Sequence, residues 1–198
     1  MPGSDWDVHY QGEFPPWESG LPCSELQRVI AEDKIQPGRM IELGCGSGIN
    51  AVWLAQQGFD VTGVDITPLA IERARQRAAD AGVSLRFEIG DVLNLPAEKD
   101  PFPLFFDRGC YHAVRQIDAA AYVRSLLNVT APGARGLILT GNAREPSPAG
   151  QGPPVVSAEE LHAELEPAFK IVRLREFRFD TTVPGNPSPL AWSCWLRR

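Results

Sequence analysis

The 198-residue sequence predicts a single doubly wound α/β domain with a mostly parallel sheet. Short apolar runs alternate with longer amphipathic stretches of helical period, which is typical of a parallel sheet covered by helices on both faces. A glycine-rich turn follows the first apolar run, as expected where a strand leads into a helix. In such a sheet we expect ligands to bind at the carboxyl ends of the strands.

The predicted elements follow in chain order. An aromatic, turn-rich arm covers the first twenty residues. We expect Ser24 to be the N-cap of the first helix, with Gln27 completing a capping box. The predicted parallel strands are 40–43, 61–64, 85–89, 104–106 and 136–140. The predicted helices between them are 49–57, 68–81 and 118–129, and Thr67 with Pro68 is a strong start for the second.

The last third of the chain has a different character. Ser157 and Glu160 form a second predicted capping box at the start of a helix. Residues 171–180 and 190–197 predict two long strands, paired antiparallel across the loop between them. We therefore expect one domain over residues 1–198, made of an N-terminal arm and helix (1–36), a ligand-binding core (37–140) and a C-terminal part with a loop, a helix and two strands (141–198).

Composition limits the possible partners. The formal net charge is −6, which opposes binding to nucleic acid. The four cysteines form no CxxC pair or zinc pattern, so we expect free thiols and no metal. The sequence has no secretory signal or membrane-spanning run, so we expect a cytoplasmic protein that is a monomer or weak dimer. We interpret Arg73, Arg75 and Arg77 as a solvated helix face.

Acidic residues mark the ends of three successive predicted strands. Glu42 leads into the turn Gly44-Cys-Gly-Ser-Gly48, whose glycine spacing differs from the GxGxxG of dinucleotide enzymes. Asp65 ends the second strand, where a carboxylate can accept hydrogen bonds from ribose hydroxyls. Asp91 follows the third strand, where it can accept a hydrogen bond from an adenine amino group while Val92 packs on the ring. Each acid alone is equally well explained as a loop residue or a helix cap.

Together these motifs resemble class I S-adenosylmethionine-dependent methyltransferases across residues 38–140. The resemblance implies a Rossmann-like sheet of seven strands in the order 3-2-1-4-5-7-6, with strand 7 antiparallel. It also implies S-adenosyl-L-methionine as cofactor and S-adenosyl-L-homocysteine as product. The segment Asp107-Arg-Gly and the arm residues Trp6, Tyr10 and Trp17 resemble the thiopurine S-methyltransferase group, in which the arm closes over the cofactor.

The resemblance and the strand-end positions together give a set of site residues. We expect the cofactor to contact Trp17, Glu42, Gly44, Cys45, Gly46, Gly48, Asn50, Asp65, Ile66, Asp91, Val92 and Asp107. Asp107 and His112 are the expected catalytic residues, because each is placed to orient the nucleophile or take its proton. Asp107 as a helix cap and His112 as a packing residue are the alternatives. We expect Tyr10, Tyr111, His112 and Arg144 to line the substrate pocket.

The function implied is methylation of a small, apolar acceptor at a thiol or another heteroatom. A thiol needs no strong base, because its reference pKa near 8.5 leaves it partly ionised. One alternative is O- or N-methylation of a quinone, phenol or heterocycle. Another is a regulatory protein that binds the cofactor without turnover. Methylation of a metalloid is a remote possibility, since it requires several cysteines at one site.

Overall fold

The computed structural model describes residues 6–12, 15, 17–145, 153–180 and 188–198. Within these residues the strands are β1 (Arg39–Leu43), β2 (Asp60–Asp65), β3 (Arg86–Ile89), β4 (Phe102–Arg108), β5 (Thr130–Asn142), β6 (Val155–Val156), β7 (Lys170–Arg178) and β8 (Leu190–Arg197). The helices are α1 (Asp7–Tyr10), α2 (Ser24–Glu32), α3 (Ile49–Gln56), α4 (Pro68–Asp80), α5 (Cys110–Val129) and α6 (Ala158–Leu165).

All these strands belong to one sheet of order β3-β2-β1-β4-β5-β8-β7, and β6 pairs with β5 off this path. The strands β1 to β5 pair in parallel, whereas β8 lies antiparallel between β5 and β7. The predicted order, with the last long strand inserted beside the fifth, is confirmed. The short β6 is an eighth strand that the sequence pattern does not indicate.

Helices cover both faces of the sheet and form two apolar clusters. One cluster packs α2, α3 and α4 against the sheet, and the other packs α5 and α6 against the opposite face. The aromatic arm is predicted without a helix, but α1 gives it one short helical turn that contacts α4. In the part of the chain described here, no helix is both long and apolar enough to cross a lipid bilayer.

The predicted start of α2 is wrong, although its location is right. The helix has Cys23 as N-cap, and the Ser24 side chain makes no capping hydrogen bond. Instead the Ser24 amide and hydroxyl donate to the carboxylate of Asp180, at 2.9 and 2.7 Å. A distant acid thus replaces the local capping box. The second predicted box, between Ser157 and Glu160 at the start of α6, is confirmed.

Helix α5 is longer than predicted. It begins at Cys110 and contains one residue with non-helical dihedral angles, Asp118, at φ −159° and ψ 93°. The Asp118 carboxylate accepts a 2.8 Å hydrogen bond from the amide of Ala121, so it caps the second segment of the helix. The predicted helix 118–129 corresponds to this segment. The first turns of α5, which begin at Cys110, form part of the site described below.

Candidate active site

The turn between β1 and α3 is built by close contacts among protein atoms. Gly46 has a φ of 53°, and a Cβ there would lie 2.8 Å from the Tyr10 hydroxyl. A Cβ on Gly44 would lie 2.5 Å from the Cβ of Cys110, and one on Gly48 would lie 2.8 Å from the Cβ of Ala74. Only glycine fits at these positions, because the arm crowds Gly46, α5 crowds Gly44 and α4 crowds Gly48.

Asp65 fixes this turn from the end of β2. Its carboxylate accepts hydrogen bonds of 2.9 Å from the amides of Gly46 and Thr67. Each carboxylate oxygen has two acceptor sites, so both oxygens keep capacity for a further donor such as a ribose hydroxyl. The side chain is 9% exposed, at the carboxyl edge of the sheet. The predicted ribose contact therefore stays compatible with the geometry.

Glu42 has an unpartnered oxygen. The side chain is only 2% exposed, and Oε2 has no hydrogen-bond partner among the described residues. Oε1 accepts a long hydrogen bond of 3.4 Å from the Asn50 amide, whose own oxygen accepts one from the amide of Cys23. Burial, with a smaller contribution from Asp107, raises the pKa of Glu42 to about 8. A buried acceptor without a donor is a position for a ligand group.

Two positions fit the adenine ring. Ile66 is 52% exposed beside the end of β2, although it is a large apolar side chain. Val92 is buried, and the neighbouring Asp91 is exposed, with Oδ1 accepting a 2.9 Å hydrogen bond from the amide of Leu93. By contrast, the Cys45 thiol points away from this edge into the apolar core, against Phe87. Cys45 can offer the cofactor only its backbone.

The predicted catalytic role of Asp107 conflicts with its surroundings. The side chain is completely buried and accepts from the amides of Cys110 and Tyr111 at the start of α5. It also accepts a 2.8 Å hydrogen bond from the Tyr122 hydroxyl. Burial raises the pKa of Asp107 to about 7. Asp107 therefore caps the start of α5, and its carboxylate oxygens accept hydrogen bonds from the protein's own donors.

His112 does not have the environment of a general base either. Its Nδ1 accepts a 3.1 Å hydrogen bond from the amide of Gly141, which places the proton on Nε2. Burial, together with the positive charge of Arg108, lowers the pKa of His112 to about 3. The ring is therefore neutral near pH 7 and offers a donor, not a base, toward the carboxyl edge. The role of proton acceptor therefore stays a prediction, and this geometry favours a neutral ring that packs at the start of α5.

The other predicted substrate residues are also committed to protein contacts. Tyr111 is fully buried, stacks on Tyr122 and donates to Glu164 of α6, so it does not line an open pocket. Tyr10 lies over Gly46 beside Asp65, on the cofactor side of the edge. Arg144 is exposed but pairs with Glu176 at 3.0 Å, because the residues directly after β5 lie beside β7.

Glu18, which the sequence pattern did not indicate, fastens the arm. Its carboxylate accepts hydrogen bonds from the amide and hydroxyl of Ser47, at 3.1 and 2.7 Å. Arg77 donates to the carbonyl and the hydroxyl of the same serine, and Arg75 donates to the carbonyl of Phe87. Arg77 is therefore held against the turn and does not belong to a solvated face, whereas Arg75 is exposed as predicted. No local pattern marks Glu18, because its partner lies 29 positions away.

Arg108 was also missed, although its place directly after Asp107 at a strand end was a usable signal. Its guanidinium donates to the Trp17 carbonyl at 3.1 Å and lies 5.0 Å from the ring centroid of Phe179. Trp17 is 37% exposed and packs edge-on against His9 and Tyr10 in the arm. Arg108 thus connects the arm to Phe179, directly after β7, at the carboxyl edge of the sheet.

The residues present fit S-adenosylmethionine. The unpartnered oxygen of Glu42 matches an ammonium group, Asp65 keeps acceptor capacity for ribose, and the exposed Ile66 matches an apolar ring. The glycine turn carries no free cradle for a pyrophosphate, because Glu18 already occupies the Ser47 amide at the start of α3. When bound, the cofactor supplies a methyl group on a positively charged sulfur.

Comparisons with known proteins find similar methyltransferases. The chain is 30% identical over 164 residues to a 2-heptyl-1-hydroxyquinolin-4(1H)-one methyltransferase of Mycobacteroides abscessus, covering 79% of this chain and 72% of that protein. It is 32% identical over 138 residues to norajmaline N-methyltransferase of Rauvolfia serpentina, covering 68% of this chain but only 44% of that protein.

A solved structure is similar over the whole chain. It comes from work on the conversion of a disulfide bond into a thioacetal group during echinomycin biosynthesis. Its TM-score is 0.86 at 27% identity, and the match covers 100% of this chain and 93% of the other. The family model described as thiopurine S-methyltransferase matches residues 1–188 of this chain. The chain therefore belongs to the thiopurine S-methyltransferase family.

Proposed function

We propose that this S-adenosylmethionine-dependent methyltransferase acts on a small acceptor that is already ionised when it reacts, with an aromatic or heterocyclic thiol as the first candidate. The observation that carries this proposal is the state of Asp107 and His112. Both candidate bases are buried, and their acceptor atoms already bind backbone amides. An acceptor that must lose a proton during transfer therefore finds no base among them.

Two segments of the sequence lack every side chain that commonly serves as a general base. Residues 146–152 and 181–187 lie outside the described structure, but their sequences contain no Asp, Glu, His, Lys or Cys. Neither segment contributes a titrating side chain, and the acids directly before them, Glu145 and Asp180, are bonded to Arg178 and Ser24.

Arg108 supplies what an anionic acceptor needs. Its guanidinium lies at the carboxyl edge between Trp17 and Phe179, and its positive charge reaches both Glu42 and His112. A positive charge there stabilises a thiolate without removing a proton itself. Methyl transfer then requires the chain to align the acceptor and exclude water, and the arm serves the second purpose.

Two of the related proteins bear on the choice of acceptor. The structure from the thioacetal work concerns chemistry at sulfur, and its match extends over the whole chain. The mycobacterial relative is named for a hydroxylated quinolone, so an acidic hydroxyl on a heterocycle is the second candidate. Both kinds of acceptor ionise without help from a base.

We also propose a monomer or weak dimer that works on small molecules and not on nucleic acid, in keeping with the net charge of −6.

A direct experiment is to incubate the enzyme with S-adenosylmethionine and a panel of aryl thiols, N-hydroxy heterocycles, phenols and amines, and to measure S-adenosylhomocysteine. We expect turnover with the acidic thiols, and a pH profile that follows the pKa of each acceptor. Turnover that is best with weakly acidic phenols, with one pH profile for all acceptors, would indicate a protein base and contradict the proposal. Cofactor binding with no turnover across the panel would favour the regulatory alternative.

A further inference from the structure

We propose that Glu42 carries a proton in the free enzyme and releases it to solvent when the cofactor or its product binds. The O–H bond of the Glu42 carboxyl breaks, the proton goes to the buffer, and the carboxylate left behind pairs with the ligand's ammonium group. This inference rests on the proposed assignment of Glu42 to that ammonium group.

The first support is the placement of the carboxyl group. The side chain lies at the end of β1 with 2% exposure, so water solvates its charged form poorly. Oε2 has no partner among the described residues, and Oε1 has only the 3.4 Å contact with Asn50. A buried carboxylate normally collects two or more donors, as Asp65 does with two amides at 2.9 Å.

The second support is the charge around the group. Asp107 of β4 and Asp65 of β2 repel a negative charge on Glu42, and Arg108 of β4 attracts it. The Asn50 amide of α3 favours the charged form only through its long hydrogen bond. Burial outweighs both favourable contributions, and the pKa of Glu42 is raised to about 8, so the neutral carboxyl predominates near pH 7.

Binding reverses this balance. An ammonium group beside Oε2 adds an opposite charge within a few ångströms and donates the hydrogen bond that the oxygen lacks. Both effects favour the carboxylate. The proton is released because the bound state prefers the ion pair, whereas the free state prefers the neutral acid.

The experiment is calorimetry of S-adenosylhomocysteine binding in buffers of different ionisation enthalpy. Near pH 7 the wild type should release the larger part of one proton per ligand, because the free pKa is raised to about 8, and the number should fall as the pH rises through 8. Glu42→Gln should bind the ligand with little or no release. The ligand's own amino group titrates in both proteins, so the difference between them isolates Glu42.

Asp107 is the neighbouring carboxyl that needs a control, because its pKa is also raised, to about 7. Asp107→Asn should keep most of the proton release if Glu42 is the source. Isotope-edited infrared difference spectroscopy of the wild type gives a second test that needs no variant. A protonated carboxyl band of glutamate should disappear when S-adenosylhomocysteine binds.

The outcomes separate the two proposals. Wild type that binds S-adenosylhomocysteine without releasing a proton, or Glu42→Gln that releases as many protons as wild type, overturns the inference and leaves the enzyme's function intact. Wild type that does not bind S-adenosylhomocysteine at all contradicts the proposed cofactor site itself.

Discussion

The Tyr122 hydroxyl donates a 2.8 Å hydrogen bond to the Asp107 carboxylate, and both side chains are buried in the interior of the protein. With the amides of Cys110 and Tyr111, this hydroxyl completes the set of donors around the acid. The acid at the end of β4 therefore sets where α5 begins. It influences the active site by holding the Arg108–Gly109 turn, where Gly109 has a φ of 86°.

We expect Tyr122→Phe to lower the free energy of unfolding by about 1.5–3 kcal/mol, the range for a hydrogen bond to a charged group. Because the folded pKa of Asp107 is raised to about 7 from an ordinary 3.8, its contribution to stability is full at low pH and is lost as the pH rises through 7. Removing the Tyr122 donor penalises only the charged form, so the loss should be larger near pH 8 than near pH 5. Denaturant unfolding at both pH values measures this.

The matched control is Tyr111→Phe, a second buried tyrosine that donates to a carboxylate. Its acceptor, Glu164, also binds Arg115 and is partly exposed, so the loss should be smaller and nearly independent of pH. Equal losses and equal pH dependence in the two variants would contradict the role assigned to the Tyr122–Asp107 pair.

We expect His112→Asn to keep the pH profile of turnover, because the asparagine oxygen can accept from Gly141 as Nδ1 does. A folded pKa of about 3, against 6.5 for free histidine, means that His112 supports stability above pH 6.5 and that this support is lost as the pH falls toward 3. The variant should therefore lose less stability than wild type over that range.

His112→Ala provides the comparison for that variant, since it leaves the Gly141 amide unpaired and should cost about 1–3 kcal/mol of stability. Steady-state rates and thermal unfolding across pH check both variants. If His112→Asn abolished a rate-controlling ionisation near pH 6.5, the histidine would be a base after all.

The positions of the strands were predictable because apolar periodicity is a local signal of the sequence, whereas their order came from the resemblance to class I methyltransferases. The capping boxes show the limit of such signals. Ser157 and Ser24 have the same pattern, but only Ser157 uses it, since Ser24 meets Asp180 from 156 positions away. The capping of α5 by Asp107 shows the same limit, because its tyrosine partner comes from a later turn of α5.

We expect Glu18→Ala to loosen the arm. The variant loses both hydrogen bonds with Ser47. Because this loss should destabilise the closed arm by about 1.5–3 kcal/mol, amide protection in residues 6–12 should fall by roughly 10- to 100-fold. Glu72→Ala, at an exposed position on α4, is the control and should leave protection unchanged. Hydrogen exchange with and without S-adenosylhomocysteine also tests the expected ordering of the arm by the cofactor. Equal protection in Glu18→Ala and wild type would show that the arm is held elsewhere.

The last prediction separates the two arginines of the carboxyl edge. Arg108 faces the site between Trp17 and Phe179, whereas Arg144 is neutralised by Glu176. We expect Arg108→Met to lower kcat/KM for ionised thiols by about 10- to 100-fold, the scale of one charge-assisted contact, and Arg144→Met by less than about threefold. Rates with a thiol and with a neutral amine acceptor measure both effects.

The choice of acceptor turns this comparison into a test of mechanism. If Arg108 stabilises an anion, its loss should affect thiolates strongly and a neutral amine weakly, and the dissociation constant for S-adenosylhomocysteine should stay within about threefold of wild type. If Arg108 only fastens the arm through the Trp17 carbonyl, every acceptor should suffer equally and cofactor binding should weaken as well. Arg108→Lys keeps the charge but loses the planar contact with Phe179, so partial rescue with thiols alone assigns the effect to charge.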